Sequence, residues 1–554
     1  MKTSKVKQLC AVALAATLGL SVLTGCGSKT EDKAGAGAAA SKQELTYNLG
    51  ADPKTLDPGL NSSVDGGIVV ENLFEGLAKL DAKNKAVEGQ ADKWEVSADG
   101  LTYTFKLKKD LKWSNGDPVK ASDFVYAWKR VINPDTAAEY AYQMYYIKGA
   151  EAANTGKGSM DAVGVKATDD STLVVTLEAP CSYFLELTAF PCYFPLDEKA
   201  VGSNPEWAND AKTYVSNGPF KMTDFKIKDS IVLEKNENYE AKQDVKLDKV
   251  TMKLIAEETS AWASYKSGQF DMVDIVPLSE IQGAVKDKSA TTFPNLGTNF
   301  ISVNVSDKAK AVDPNAAKAL SDPKVRKALG LAIDRQAIVE NVTKAGQIPA
   351  HSYVPEGITG ADGKDFAGKK YFDPKGDVEQ AKKLLAEAGF PEGKGLPTLT
   401  LLYNPGNGNN ELMQAVQDMW KKVGINVELQ TQEWKVFQST RIAKQFVIAR
   451  DAWLADYTDP MTFLDMFLSN SQNNNPGYNN PKFDQAIQDA KKETDANKRL
   501  TIMHQAEDML MEDMPVIPIY YYTQTKGIKD YVKDVRVSPL GFVYFDKAHI
   551  EGKK

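Results

Sequence analysis

From about Asp377 the sequence settles into a regular beat of amphipathic helix and short apolar strand, and that beat limits what the chain can become. A helix over residues 381–388, closed by Gly389, precedes a strand over 398–403. A second helix over 411–423 precedes a strand over 425–429, and a third around 435–444 precedes Phe446-Val447-Ile448-Ala449. Strands joined through helices lie parallel, so this region predicts a parallel α/β layer. The earlier half is richer in strand alternation. Glu44-Leu45-Thr46-Tyr47-Asn48-Leu49 opens it, and residues 101–108 place an apolar side chain at every second position before the tight turn at Asn115-Gly116. Ser122-Asp123 can cap a helix striped by Phe124, Trp128 and Val131 and stopped at Asn133-Pro134. Asp322-Pro323 opens another helix, carrying Val325, Leu329, Ala332 and Ile333. No repeat of fixed period is visible. The two halves are unlike, so we expect two lobes with a ligand cleft between them.

The chain has 554 residues, of which 42% are hydrophobic and 25% charged, enough apolar material for several cores. At roughly 150 residues per domain the length suggests about three or four domains. A net charge of −7 argues against a nucleic-acid partner, which normally demands a basic excess. His351, His504 and His549 are far apart in sequence, and four Cys complete a poor set of soft-metal ligands. There is no Gly-x-Ser-x-Gly elbow, Walker A loop or His-Glu-x-x-His, so neither an enzyme nor a cofactor is expected. Cys181 and Cys192 are either a disulfide or two buried free thiols; a helix over 183–190 would hold them too far apart to bridge.

The N-terminus reads as an address. Lys2, Lys5 and Lys7 precede an uncharged run over 9–23, short for a membrane span and typical of a signal peptide. The run ends in Leu23-Thr24-Gly25-Cys26, which resembles a bacterial lipobox, with Cys26 as the lipidated residue; the plainer alternative is a secretory signal with a fortuitous Cys. Cleavage before Cys26 removes three lysines and leaves a more acidic chain. The small-residue stretch that follows buries too little apolar surface to fold, and is expected to act as a tether.

Several separated motifs carry a resemblance to one family. They are residues 94–134, with Leu111-Lys112-Trp113-Ser114-Asn115-Gly116-Asp117-Pro118-Val119, then residues 324–335 and 453–460. Leu56-Asp57-Pro58 and Pro518-Ile519-Tyr520-Tyr521-Tyr522 add to them. In this order they resemble the oligopeptide-binding proteins of ABC importers, members of the extracellular solute-binding protein family 5. The resemblance implies an α/β, two-lobed periplasmic-binding-protein-like fold (type II, cluster C) with a hinge and an extra inserted domain. On this chain it implies a signal peptide at 1–25, a lipidated tether at 26–43, and a discontinuous lobe I at 44–74, 198–300 and 524–554. The inserted domain would span 75–197 and lobe II 301–523.

The same resemblance implies a peptide site. Asp456, in Trp453-Leu454-Ala455-Asp456-Tyr457, would receive the ligand's α-ammonium, because a charge taken into a dry cleft needs a counter-charge. The competing reading of Asp456 is a turn or helix cap before Thr458-Asp459-Pro460. Arg450 and Arg441 match cleft arginines, with ordinary ion pairing as the alternative for Arg441. Trp434 and Trp453 match walls of side-chain pockets, and Tyr140 and Tyr522 match phenols that bond the ligand main chain. Ser62 and Val64 fall where a short strand would pair with the ligand backbone. Asn409 stands where some relatives place a His for the peptide carboxylate, and Leu454 where some place a Cys. The implied protein is a lipid-anchored, monomeric receptor on the outer face of a bacterial membrane, delivering oligopeptides to an ABC permease. Rival readings are a same-fold receptor for dipeptide, nickel or oligosaccharide, a surface peptidase or glycosidase, and an adhesin.

Overall fold

Two long strands, Ala290–Val303 and Val516–Ile528, run antiparallel through the middle of an 11-stranded sheet in the computed structural model, which describes residues 42–50, 52–202, 204–406 and 408–553. The leader, Cys26 and the tether through residue 40 lie outside the described residues. Each long strand serves both halves of the sheet. Ala290 to Pro294 pair with Gly527 to Thr523, and Thr298 to Ser302 pair with Tyr521 to Val516, with a register break between Pro294 and Thr298. Pro294 brings no N–H to the ladder, which suits it to such a break. Gly297 sits at the far side of the break, where a Cβ would lie 2.9 Å from the Trp453 carbonyl oxygen, so only glycine lets the strands approach.

On one side the sheet continues through Met272–Val273, Glu44–Asn48, Lys249–Lys253, Ser230–Lys235 and Phe220–Lys226. On the other it continues through Ile448–Leu454, Leu399–Tyr403 and Val427–Thr431. The last three are mutually parallel, as the helix–strand beat predicts, while Ile448–Leu454 runs antiparallel to the long strand beside it. A separate antiparallel sheet of four strands (Ala91–Val96, Thr102–Leu107, Thr172–Thr176 and Val165–Asp169) lies within the segment expected as an insertion. The helix Ala121–Ile132 buries Phe124, Trp128 and Val131, and Trp128 donates its indole N–H to the Tyr193 carbonyl at 2.7 Å. Truncating such a Trp typically costs about 3–5 kcal/mol.

Three expectations need correction. The cap of that helix is Lys120, one residue before its first turn; Asp123 instead reaches back to the Lys120 N–H at 2.9 Å from inside the helix. The third parallel strand is Ile448–Leu454, not 446–449, since the ladder continues through charged Arg450 and Asp451. Residues 62–64 form no strand: Val64 is the first residue of the helix Val64–Leu73. Cys181 and Cys192 are free, buried thiols on either side of the short helix Phe184–Leu187, and burial pushes Cys181 up to about 12. No helix among the described residues is long and apolar enough to cross a membrane.

Candidate functional site

Asp456 lies two residues beyond the strand Ile448–Leu454, on the way into the helix Met461–Leu464. Its carboxylate caps no helix. Asp459, nearer that helix, accepts the Met461 N–H at 2.9 Å and holds Arg499 in a two-bond fork at 2.7 and 2.8 Å. Asp456 faces a different segment altogether. Tyr140 donates to Oδ1 at 3.0 Å, while Tyr142 and Gln143 donate to Oδ2 at 3.1 and 3.0 Å. All three donors belong to the 3-10 turn Ala141–Met144 and the residue that starts it. Asp456 is half-buried, and protein atoms pack densely around its carboxyl. This burial lifts its pKa to about 6, with the three donors pulling the other way and Asp465 adding repulsion. The result is a carboxylate poised for a cation, ready to be stabilised by a positive partner.

Next to it the sheet presents backbone. Leu399–Tyr403 covers Ile448–Leu454 only at Ile448 and Ala449, whereas the long strand pairs with all seven residues from the other side. From Arg450 to Leu454, therefore, one edge carries no strand among the described residues. Such an edge can accept an added strand.

Polar side chains gather on the same strand. Arg450 donates to the Tyr522 hydroxyl at 3.1 Å and to Asn404 Oδ1 at 3.4 Å, and Asn299 donates to the same hydroxyl at 3.0 Å. Arg450 Nε, Asn299 Oδ1 and Trp453 Nε1 are buried without a hydrogen-bond partner among the described residues. Buried polar atoms are normally paired, so this concentration sets the region apart.

The remaining expected residues are more dispersed. Arg441 is buried and ion-paired with Asp451, whose other oxygen accepts from Ser302 at 2.8 Å and Asn475 at 3.0 Å. Trp434 opens the helix Trp434–Ile442 and is 44% exposed, with the Arg441 guanidinium 5.8 Å from its ring. Asn409 is buried at the start of the helix Asn409–Lys421 and donates to the Asn404 carbonyl at 3.1 Å. Ser62 bonds the Glu139 carboxylate, which Lys54 also holds at 2.9 Å. Tyr142, Gln143, Asn299 and Asn404 were not expected from sequence. The spacing of Tyr140 and Tyr142 on one short turn is the signal that could have found the first two.

A cavity of ≈ 10 Å³, room for about one water, touches Asp456 and has Glu71 and Glu186 in its wall. A larger one, of ≈ 470 Å³, opens between Asp244, Lys246, Lys547 and His549 and includes none of the residues above. No group of three or more His, Cys, Asp or Glu among the described residues is arranged to hold a metal ion.

Residues 85–475 match the sequence profile of the bacterial extracellular solute-binding proteins, family 5. The chain belongs to this family. Among its relatives, the oligopeptide-binding protein OppA of Bacillus subtilis is 41% identical over 540 residues, covering 96% of this chain and 97% of the relative. The dipeptide-binding protein DppE of the same organism is 37% identical, covering 97% and 98%. A solved structure, the substrate-binding domain of an oligopeptide ABC transporter from Bacillus anthracis, superposes with a TM-score of 0.78 at 34% identity, covering 92% of this chain and 99% of that one. The fold is thus the two-lobed solute-binding architecture.

Proposed function

We propose that this protein captures oligopeptides outside a bacterial cell and delivers them to an ABC permease, held to the membrane by lipid on Cys26 and working as a monomer. One observation carries the peptide reading: the Asp456 carboxylate lies just beyond a strand whose Arg450–Leu454 edge is unpaired. A free amino terminus suits the carboxylate and an extended main chain suits the edge, and together they define a peptide without specifying its side chains. The similarity to the Bacillus subtilis oligopeptide-binding protein OppA supports the same class.

In this reading Tyr140 and Tyr522 bond the peptide main chain, and Arg450, Trp453 and Trp434 border its side chains. Asn409, Ser62 and Val64 lie at the periphery of the site, and Arg441 acts through Asp451. The lobes divide as 44–74, 198–300 and 524–554 against 301–523, with 75–197 inserted. The register break between Pro294 and Thr298 makes the two long strands a natural hinge. The protein binds and releases its ligand unchanged rather than acting on it.

The experiment is mass spectrometry of what the purified protein releases on denaturation, followed by calorimetry with peptides of two to five residues. Recovered peptides of unaltered mass support the reading, and cleaved products or an unrelated ligand overturn it. The relative DppE gives a second reading, a dipeptide receptor, which the length series separates.

A further inference from the structure

The three donors on Asp456 are not equivalent. Tyr142 is 38% exposed, and Tyr140 is half-buried with its ring edge-on to Phe190 at 5.2 Å. Gln143 is only 2% exposed. Its backbone carbonyl accepts the buried Tyr193 hydroxyl at 2.5 Å, and Tyr193 is itself held by Trp128 of the helix Ala121–Ile132. The amide that reaches Asp456 Oδ2 at 3.0 Å is therefore locked from behind. A glutamine amide carries N–H donors and no titratable proton, so toward a carboxyl it favours the ionised form.

The surroundings make that preference consequential. Asp465 repels a negative charge at Asp456, and the nearby Lys491 is committed to Asp465 at 3.0 Å, while Glu71, raised by burial to about 8, and Glu186 line the small cavity that Asp456 touches. Cys192 also faces it, its thiol kept neutral by burial, as are the phenols of Tyr140 and Tyr142. Among the described residues the hydrogen-bond partners of the Asp456 carboxylate are Tyr140, Tyr142 and Gln143, none of them basic.

We propose that Gln143 is a positioning residue, holding the Asp456 carboxylate ionised and correctly aimed before the ligand's ammonium arrives. This rests on the reading of Asp456 as the amine anchor. It identifies a residue 313 positions away in the chain as the one that makes the anchor usable.

The test is calorimetry of trialanine and N-acetyl-trialanine from pH 5 to 8.5 with wild type, Gln143→Leu and Gln143→Glu. Without the amide, Asp456 protonates more easily. Gln143→Leu should therefore move the pH at which trialanine affinity falls upward by about one unit, weaken binding about twofold at pH 7 and about tenfold toward pH 5, and lose little at pH 8.5. Gln143→Glu keeps the buried volume but sets two carboxylates side by side. The pair holds a shared proton to higher pH than Asp456 alone, and the ammonium has to displace it, so affinity should rise with pH through a midpoint above that of wild type. A loss in Gln143→Leu that is equal at every pH, or a Gln143→Glu midpoint unmoved from wild type, overturns the positioning role. Wild type binding the acetylated and free peptides equally would instead remove the anchor on which the proposal stands.

Discussion

The hydroxyl of Tyr140 lies 3.0 Å from Asp456 Oδ1, joining two parts of the chain 316 residues apart. Tyr140 starts a turn in the segment read as an insertion, and Asp456 follows a strand of the large sheet. The contact places the proposed amine anchor at a junction between elements, where closure around a ligand can remove water from it. Because the phenol is neutral, it stabilises the carboxylate without competing for the ligand's charge.

Tyr140→Phe removes that bond together with the one proposed to the peptide main chain, while the ring stays packed on Phe190. Hydrogen bonds to charged groups are worth about 1.5–3 kcal/mol, so peptide affinity should fall roughly tenfold or more. Calorimetry that found an unchanged Kd would show that the bond does not matter to binding.

The pH dependence of binding should follow Asp456. Burial raises its pKa to about 6 in the empty protein, and an ammonium ligand needs it ionised. Affinity should be full above pH 7 and fall by up to about tenfold per unit below ~6. The effect of this group on stability runs in the opposite sense. A carboxyl whose folded pKa is raised binds its proton more readily when folded, so its contribution to stability increases as pH falls from about 6 toward 4. Asp456→Asn should lose the inflection in the binding profile; a wild type with flat affinity from pH 5 to 8 would contradict the assignment.

Arg441→Leu tests structure against ligand contact. It strands the buried Asp451 carboxylate, a change that typically costs about 3–5 kcal/mol, and the double variant with Asp451→Asn should recover much of it. Chemical denaturation measures the effect. A variant of normal stability but poor peptide affinity would make Arg441 a ligand contact instead.

Cys26→Ser should release the protein from membranes while leaving peptide affinity unchanged, because a serine hydroxyl cannot take the thioether-linked lipid. Fractionation after a high-salt wash decides it: quantitative retention of the variant in the membrane would contradict lipid anchoring at Cys26.

The sequence was most legible where side chains repeat with a period. The strand Glu44–Asn48, the helix Pro323–Leu331 with Asp322 as its cap, and the parallel pair Leu399–Tyr403 and Val427–Thr431 all follow from apolar spacing and capping chemistry. Asp456 was legible only through its motif, since a lone carboxylate before a turn has no periodic signature. Tyr142 and Gln143 escaped because a single 3-10 turn is too short to show one. The strand Ile448–Leu454 was cut short at Ala449 because Arg450 and Asp451 look wrong for a sheet interior; Asp451 is tolerated there through Arg441, Ser302 and Asn475, bonds that no local pattern announces. The helix Val64–Leu73 runs through two glycines that conceal it in a propensity reading, so Val64 reads as strand from sequence.

The central claim is that Asp456 meets the peptide's α-ammonium, and a thermodynamic cycle tests it most directly. Free and N-acetylated peptide are titrated into wild type and Asp456→Ala. Removing either partner of a desolvated charge pair typically costs ~3–5 kcal/mol, or about 10² to 10³ in affinity. Each single change should therefore be severe, and the two together clearly less than additive, because both remove one interaction. Full additivity, or a wild type that binds the acetylated peptide as tightly as the free one, would contradict the account.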